Sequence, residues 1–248
     1  MAWCDFHYSS QALGKQTGAN ILLPENGAGP FPVLYLLHGL SDDQTMWMRR
    51  SSIERHVEGV PLIVVMPDGG RGFYSDAAEG ARYLTALAEE LVERIDRTFP
   101  TQATRAGRCV AGLSMGGYGA AKFALTYPDR FSAAVSHSGA LAWGHKALNW
   151  DANSNAAEWH RILGEAYIGG KNDLYALAAK VSPDLRPALR IDCGVDDFLI
   201  ADNREFHAHL ESIAFPHEYQ EHPGGHDWRY WDTHIQDSIA FFRREMGL

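Results

Sequence analysis

No stretch of this chain approaches the roughly eighteen consecutive apolar residues that a membrane-spanning helix needs. The longest apolar strings, Val33–Leu37 and Leu62–Met66, have the length of buried strands. Basic clusters are equally scarce. Nothing exceeds Arg49-Arg50 or Arg243-Arg244 in a chain whose formal net charge is −9. Phosphate backbones and anionic membrane surfaces are held by clustered Lys and Arg, so neither nucleic acid nor membrane is expected as a partner. Cysteine is sparse: Cys4, Cys109 and Cys193 form no CxxC pair and are odd in number. That argues against a disulfide framework and fits reduced thiols. The segment Met1–Tyr8 has neither a basic nor an apolar region of signal-peptide type, so a cytoplasmic location is expected. Gly69, Gly70 and Gly72 are not followed by the Gly-Lys-Ser/Thr of a phosphate loop. Asp42, Asp43, Asp68 and Asp76 lack the spacing of metal ligands and read as solvated or capping carboxylates. No metal and no cofactor are expected.

What the chain does have is an alternation of strands and helices with 46% apolar residues over 248 positions, enough for one packed α/β domain. Strands are expected at 19–23, 33–37, 62–66, 108–111, 131–136, 189–193 and 218–221. Continuous apolar runs such as Val33-Leu34-Tyr35-Leu36-Leu37 suit a mostly parallel sheet covered by helices on both faces. The clearest helix spans 81–99, where Leu84, Leu87, Ala88, Leu91, Ile95 and Phe99 recur at three- and four-residue steps before Pro100. Helices are also expected at 52–58, from 117 to about 127, at 203–213 and at 231–244. From about 138 to 187 the rhythm breaks. That stretch carries Trp143, Trp150, Trp159 and Tyr167 and a helix over 173–180. It reads either as a small cap-like insertion over the C-terminal edge of the sheet or as an elaborated crossover.

Chemistry is concentrated in three loops. Gly112-Leu113-Ser114-Met115-Gly116 fits the G-x-S-x-G turn between a strand and a helix, where a serine is held exposed and glycines relieve crowding. The motif alone is a weak signal. Its placement after Cys109-Val110-Ala111 and before a helix rich in Gly and Ala strengthens it. A serine hydroxyl needs a base. In this arrangement an acid and then a histidine should follow, each on a loop after a strand. Pro223-Gly224-Gly225-His226 supplies the histidine, and glycines before it permit a tight loop. His217 and His222 lie in or beside a strand and read as structural, while His207 and His209 read as solvated helix residues. The acid comes from Gly194-Val195-Asp196-Asp197, with Asp197 favoured over its neighbour Asp196 and over the strand residue Asp192. Its work is to fix the imidazole tautomer and stabilise the imidazolium.

A developing oxyanion needs two backbone N–H donors, and losing one typically costs about 3–4 kcal/mol of barrier stabilisation. Met115, next to the nucleophile, and Leu40, in the loop His38-Gly39-Leu40, are the expected pair, with His38 bracing that loop. Trp47, Trp228 and Trp231 flank these loops and read equally as pocket lining or as core.

Taken together, Leu36–Asp43, Val65–Gly70, Gly112–Gly117, Gly194–Leu199 and Pro223–Trp228 resemble the esterase D-type hydrolases, and among them the bacterial tributyrin esterase branch. The same group holds S-formylglutathione hydrolases, feruloyl esterases and, more distantly, mycolyltransferases. The resemblance implies an α/β-hydrolase fold and a metal-free serine esterase acting on short acyl esters, often as a homo-oligomer. It implies Ser114, Asp197 and His226 as the triad, with Leu40 and Met115 as oxyanion donors. The loop here reads His-Gly-Leu where formylglutathione hydrolases have Ser-Gly-Leu, which lowers a glutathione-thioester reading. The expectation is therefore a carboxylesterase. The alternatives are a thioesterase, a feruloyl or acetyl-xylan-type esterase, an acyltransferase, or a catalytically silent binding module.

Overall fold

The computed structural model describes residues 1–147 and 155–248. Along the chain run β1 (Ala2–Ser10), β2 (Lys15–Leu23), β3 (Val33–Leu37), α1 (Met46–Arg50), α2 (Ile53–His56) and β4 (Ile63–Pro67). Next come α3 (Tyr83–Thr85), which passes through a π-helical stretch (Ala86–Leu91) into α4 (Val92–Thr98), then β5 (Arg108–Leu113), α5 (Met115–Thr126) and β6 (Ala133–His137). The chain continues with α6 (Ala156–Leu163), α7 (Leu174–Lys180), β7 (Ala188–Gly194), α8 (Ile200–Ser212), β8 (Glu218–His222) and α9 (Trp228–Met246). The strands form one sheet in the order β1-β2-β4-β3-β5-β6-β7-β8. β1 and β2, and β2 and β4, pair antiparallel, and every other neighbouring pair is parallel.

The burial follows from this pairing. Parallel neighbours require crossover helices, which cover both faces and leave the central strands no solvated side. In β3 the side chains alternate between two cores. Val33, Tyr35 and Leu37 join the core that also holds Leu91, Ile95, Phe123 and Ala178 from α4, its π-helical lead-in, α5 and α7. Leu34 and Leu36 join the opposite core, with Trp47, Ile53, Ile235 and Phe242 from α1, α2 and α9. Each fully buried large apolar side chain contributes roughly 1.5–3 kcal/mol. The expected mostly parallel α/β architecture is the one observed.

Three differences from the sequence reading have local causes. β1 was not anticipated because its outward residues are polar or exposed, with Trp3 61% exposed. It exists through pairing with β2 across a turn in which Gly14 takes φ +64°. The last helix begins at 228 rather than 231, since the Asp227 carboxylate accepts the Arg229 and Tyr230 N–H groups as an N-cap. The helix expected over 81–99 starts two residues later and contains the π turn. The 173–180 helix forms as expected behind its cap Asp173. Trp150 lies outside the described residues.

Lys122 of α5 is wholly buried, donating to Ser75 Oγ at 2.6 Å and to Asn172 Oδ1. It ties the nucleophile-bearing helix to the loop after β4 and to the 138–187 segment. Burial pushes its pKa down to about 7.

Candidate active site

Ser114 sits between β5 and α5 with φ +54° and ψ −116°, a conformation that non-glycine residues rarely take. Three backbone bonds hold it there. Ser114 N–H donates to His137 O at 2.9 Å, and Ser114 O accepts from Ala140 N and Tyr118 N, both at 3.1 Å. The flanking glycines are required by close approach. A Cβ on Gly116 would lie 2.5 Å from Leu37 O and 2.6 Å from His38 O, and one on Gly112 would collide with Gly116 O. The turn therefore packs directly against the end of β3, where the oxyanion loop begins.

The partners arrive on two adjacent loops. β7 and β8 run parallel, with Gly194 opposite His222. Beyond them, Val195 N–H donates to His222 O and Asp196 N–H to Gly224 O, both at 2.9 Å. This pairing aims two loops at the same point. His226 Nε2 lies 2.9 Å from Ser114 Oγ, and His226 Nδ1 lies 2.8 Å from Asp197 Oδ2 and 3.1 Å from Oδ1. Asp197 is 2% exposed, and its Oδ1 also accepts the Leu199 N–H at 2.8 Å. Burial works against the Asp197 charge, but the hydrogen bonds from His226 and Leu199 outweigh it and hold the carboxyl below its ordinary range. Asp196 points its side chain to solvent. Between the two acidic neighbours, only Asp197 meets the imidazole.

The loop after β3 closes the other side. His38 is buried, with Nδ1 2.8 Å from Gly39 O, and its Nε2 accepts the Gly69 N–H at 2.8 Å. These bonds, with Tyr74 OH donating to His38 O at 2.9 Å, brace the loop against the one after β4. His38 faces away from any proton-transfer position. A Cβ on Gly39 would approach Leu113 Cδ1 to 2.7 Å and Ser114 Cβ to 3.7 Å. Leu40 and Met115 both border the cavity that opens beside Ser114. That cavity holds about 500 Å³ and is lined mainly by apolar groups, among them Phe73, Trp143, Trp159 and Phe198. Trp143 stacks on Phe73 at 4.1 Å. Lys146 at the cavity is held by Asp202 and Glu205, each at 2.7 Å.

A hydroxyl, an imidazole and a carboxylate in hydrogen-bonded series beside an apolar cavity point to acyl-transfer chemistry, and comparison with known proteins places the chain accordingly. Residues 10–242 match the Esterase family model, described as "Putative esterase". The chain belongs to this esterase family. Esterase Rv1288 of Mycobacterium tuberculosis is 34% identical over 254 residues, covering 90% of this chain. The chain spans only 55% of that relative's length. An acetyl esterase of Caldicellulosiruptor saccharolyticus is 28% identical over 98% of this chain and 99% of its own. The solved structure of FphF, a fluorophosphonate-binding serine hydrolase of Staphylococcus aureus, superposes with a TM-score of 0.88. It is 34% identical over 97% of this chain and 98% of that one. The sheet and crossovers are thus those of an α/β-hydrolase fold, and the resemblance read from the motifs agrees with the family.

Within this esterase fold, the sequence expectations for the aromatic residues need correction. Trp47 does not line the cavity. It is 1% exposed in the core beneath α9, and its indole N–H donates to Leu37 O at 3.1 Å. Trp228 packs edge-on against both Trp47 and Trp231. Trp231 is buried and stands edge-on to the His226 ring at 4.9 Å, supporting the histidine from behind. The cavity aromatics come instead from 73, 143, 159 and 198. Two of these lie in the 138–187 segment, whose tryptophans were the only available signal. Phe198, 75% exposed and 4.4 Å from the His226 ring, was missed although it follows Asp197 directly.

The remaining candidates resolve into structure. His207 and His209 are not solvated as expected. His207 Nδ1 lies 2.7 Å from His217 Nε2, and His209 Nε2 lies 3.1 Å from Tyr175 O. Asp192 is buried in β7 between His137 and Tyr230. Asp43, Asp68 and Asp76 accept hydrogen bonds from Thr45, Gly70 and Thr85 N–H groups, which is capping. His222, His234 and Asp237 bring ligand atoms within 4.8 Å of one another. Their imidazoles stack 18° apart at 4.1 Å, and the Arg190 guanidinium stands 4.0 Å from Asp237. Lone pairs of nearly parallel rings do not converge on one ion, and a fixed positive charge opposes it. Among the described residues no helix is long and apolar enough to cross a membrane.

Proposed function

We propose that the chain is a serine carboxylesterase that hydrolyses short-chain acyl esters through an acyl-enzyme on Ser114. One observation carries this reading: the His226 ring sits between Ser114 Oγ at 2.9 Å and Asp197 Oδ2 at 2.8 Å. His226 Nε2 takes the hydroxyl proton as Ser114 Oγ bonds to the ester carbonyl carbon. The carbonyl oxygen gains negative charge and is met by the Leu40 and Met115 N–H groups. On collapse the C–O bond to the alcohol breaks and the alcohol leaves with the proton from His226. Water, deprotonated by the same ring, then releases the acid and regenerates Ser114. Asp197 keeps the ring's proton on Nδ1 and offsets the imidazolium charge.

The apolar cavity suits a small uncharged acyl group. Lys146 is bracketed by two carboxylates, which leaves the mouth net negative and disfavours anionic leaving groups such as a glutathione thiol. In this proposal residues 1–248 act as one domain, with 138–187 covering the active-site edge, and neither metal nor nucleic acid takes part. The three free thiols support a reducing, cytoplasmic setting, and family resemblance supports a homo-oligomer.

The test is a fluorophosphonate probe together with a panel of p-nitrophenyl esters, methyl ferulate and S-formylglutathione. Labelling of the wild type but not of Ser114→Ala, with acetyl and butyryl esters turned over fastest, is the expected result. Faster turnover of S-formylglutathione would move the assignment to a thioesterase. Equal labelling of Ser114→Ala would end the serine-hydrolase reading.

A further inference from the structure

Arg71 lies in the loop after β4, outside the hydrogen-bonded series at Ser114, yet it reaches both halves of the cavity. Its Nη1 donates to Ser41 Oγ at 2.8 Å. Its Nε and Nη2 clasp the Glu158 carboxylate at 2.9, 3.1 and 2.7 Å. Nη2 also donates to Asn155 Oδ1 at 3.1 Å. Ser41 follows Leu40 and is held at φ +72°, so the backbone beside the proposed oxyanion donor is in a conformation its neighbours must maintain. Asn155 and Glu158 belong to α6 and its N-terminal flank, and Asn155 and Trp159 line the cavity wall opposite. The C-terminal end of α6 is fastened by backbone bonds, Ala78 N–H to Ile162 O at 3.0 Å and Glu79 N–H to Arg161 O at 2.9 Å. Near its N-terminal end, Arg71 forms a side-chain link to the oxyanion loop.

We infer that Arg71 is a specificity-determining positioning residue, a clamp that couples the acyl-pocket wall to the oxyanion loop so that acyl size and transition-state stabilisation are read together. This rests on the esterase reading above. A planar guanidinium is suited to the task, because its fork engages a carboxylate in two bonds while a third nitrogen reaches Ser41. A lysine has one nitrogen and cannot span both partners. Its two arms separate by mutation. Losing the Ser41 arm frees the loop that presents Leu40 N–H, and a donor displaced by a fraction of an ångström lowers kcat. Losing the Glu158 arm frees Trp159 to recede and admits longer acyl chains, which acts on relative kcat/KM.

The experiment measures kcat and KM on p-nitrophenyl acetate, butyrate and octanoate for wild type, Arg71→Met, Arg71→Lys, Ser41→Gly, Glu158→Ala and the Arg71→Met/Glu158→Ala double variant, with thermal melts of each. Arg71 is 41% exposed, so its replacement opens no core cavity. Arg71→Met should lower kcat on acetate about tenfold and flatten the butyrate-to-octanoate kcat/KM ratio roughly fivefold. Ser41→Gly should reproduce only the first effect and Glu158→Ala only the second. The double variant should show no flattening beyond Arg71→Met, and Arg71→Lys should recover one effect at most. The inference is overturned if folded Arg71→Met keeps both quantities within about twofold of wild type, or if Glu158→Ala and Arg71→Met flatten the ratio additively. Loss of all activity dependence on Ser114 would instead refute the esterase reading, whatever the Arg71 variants do.

Discussion

Replacing Asp197 by Asn isolates the role of a single proton position. The Leu199 N–H donates to Asp197 Oδ1 at 2.8 Å, so an amide here keeps its carbonyl oxygen on that side. The NH2 group then takes the place of Oδ2, 2.8 Å from His226 Nδ1. Being a donor, it forces Nδ1 to accept and moves the ring proton to Nε2. That nitrogen faces Ser114 Oγ at 2.9 Å and can no longer take the hydroxyl proton. The expected loss is on the order of 10⁴ in kcat, or about 5 kcal/mol of barrier, with little change in KM. Asp197 is buried and the substitution is nearly isosteric, so the fold should persist with a modestly lower melting temperature. The assay is the initial rate on p-nitrophenyl butyrate, with far-UV circular dichroism as the folding control. Asp196→Asn, at the exposed neighbour, should stay within about twofold. A folded Asp197→Asn variant with more than a tenth of wild-type kcat, or an Asp196→Asn variant that is the crippled one, would refute the reasoning.

Other outcomes follow from the same geometry. Gly116→Ala sets a methyl group 2.5 Å from the backbone oxygen of Leu37, which cannot swing aside, and should destabilise by about 3 kcal/mol or prevent folding, as read by urea titration. Trp159→Ala should enlarge the cavity and raise the octanoate-to-butyrate kcat/KM ratio about fivefold, with Trp47→Phe leaving that ratio unchanged. Lys122 has a folded-state pKa of about 7, below its unfolded value of 10.5, so the unfolded chain binds more protons between these limits. Its contribution is complete above about pH 10.5 and is lost as pH falls toward 7, on the order of 5 kcal/mol across the window. Urea melts at pH 7.5 and 9.5 should show wild type gaining on Lys122→Met as pH rises, and a constant difference would contradict this.

Much of the candidate site was legible in the chain because its constraints are local. Gly112, Ser114 and Gly116 answer to one turn, and glycines ahead of His226 mark a loop free to project a ring. Continuous apolar runs declared the buried strands, and the three- and four-residue pattern over 81–99 declared the helix before Pro100. The two adjacent carboxylates Asp196 and Asp197 differ only in which way the backbone turns after Gly194, which local sequence does not encode.

The tertiary structure decided matters that depend on contacts between distant segments. β1 carries polar outward residues and becomes a strand only by pairing with β2. Trp47 and Trp159 are the same residue type at helical positions, and only packing makes one core, against α9, and the other a wall of the cavity beside Ser114. Asp197 was singled out by the meeting of the β7 and β8 loops, where hydrogen bonds from His226 and Leu199 converge on a buried carboxylate. The Arg71 clamp joins residues 41, 71, 155 and 158, of which only Ser41 lies in a motif segment, because their distances are set by the fold and not by spacing in the chain. Sequence periodicity and turn chemistry specify which elements form and which side chains can react. The shape of the cavity beside Ser114 is a long-range property, settled by how helices far apart in sequence stack on one sheet.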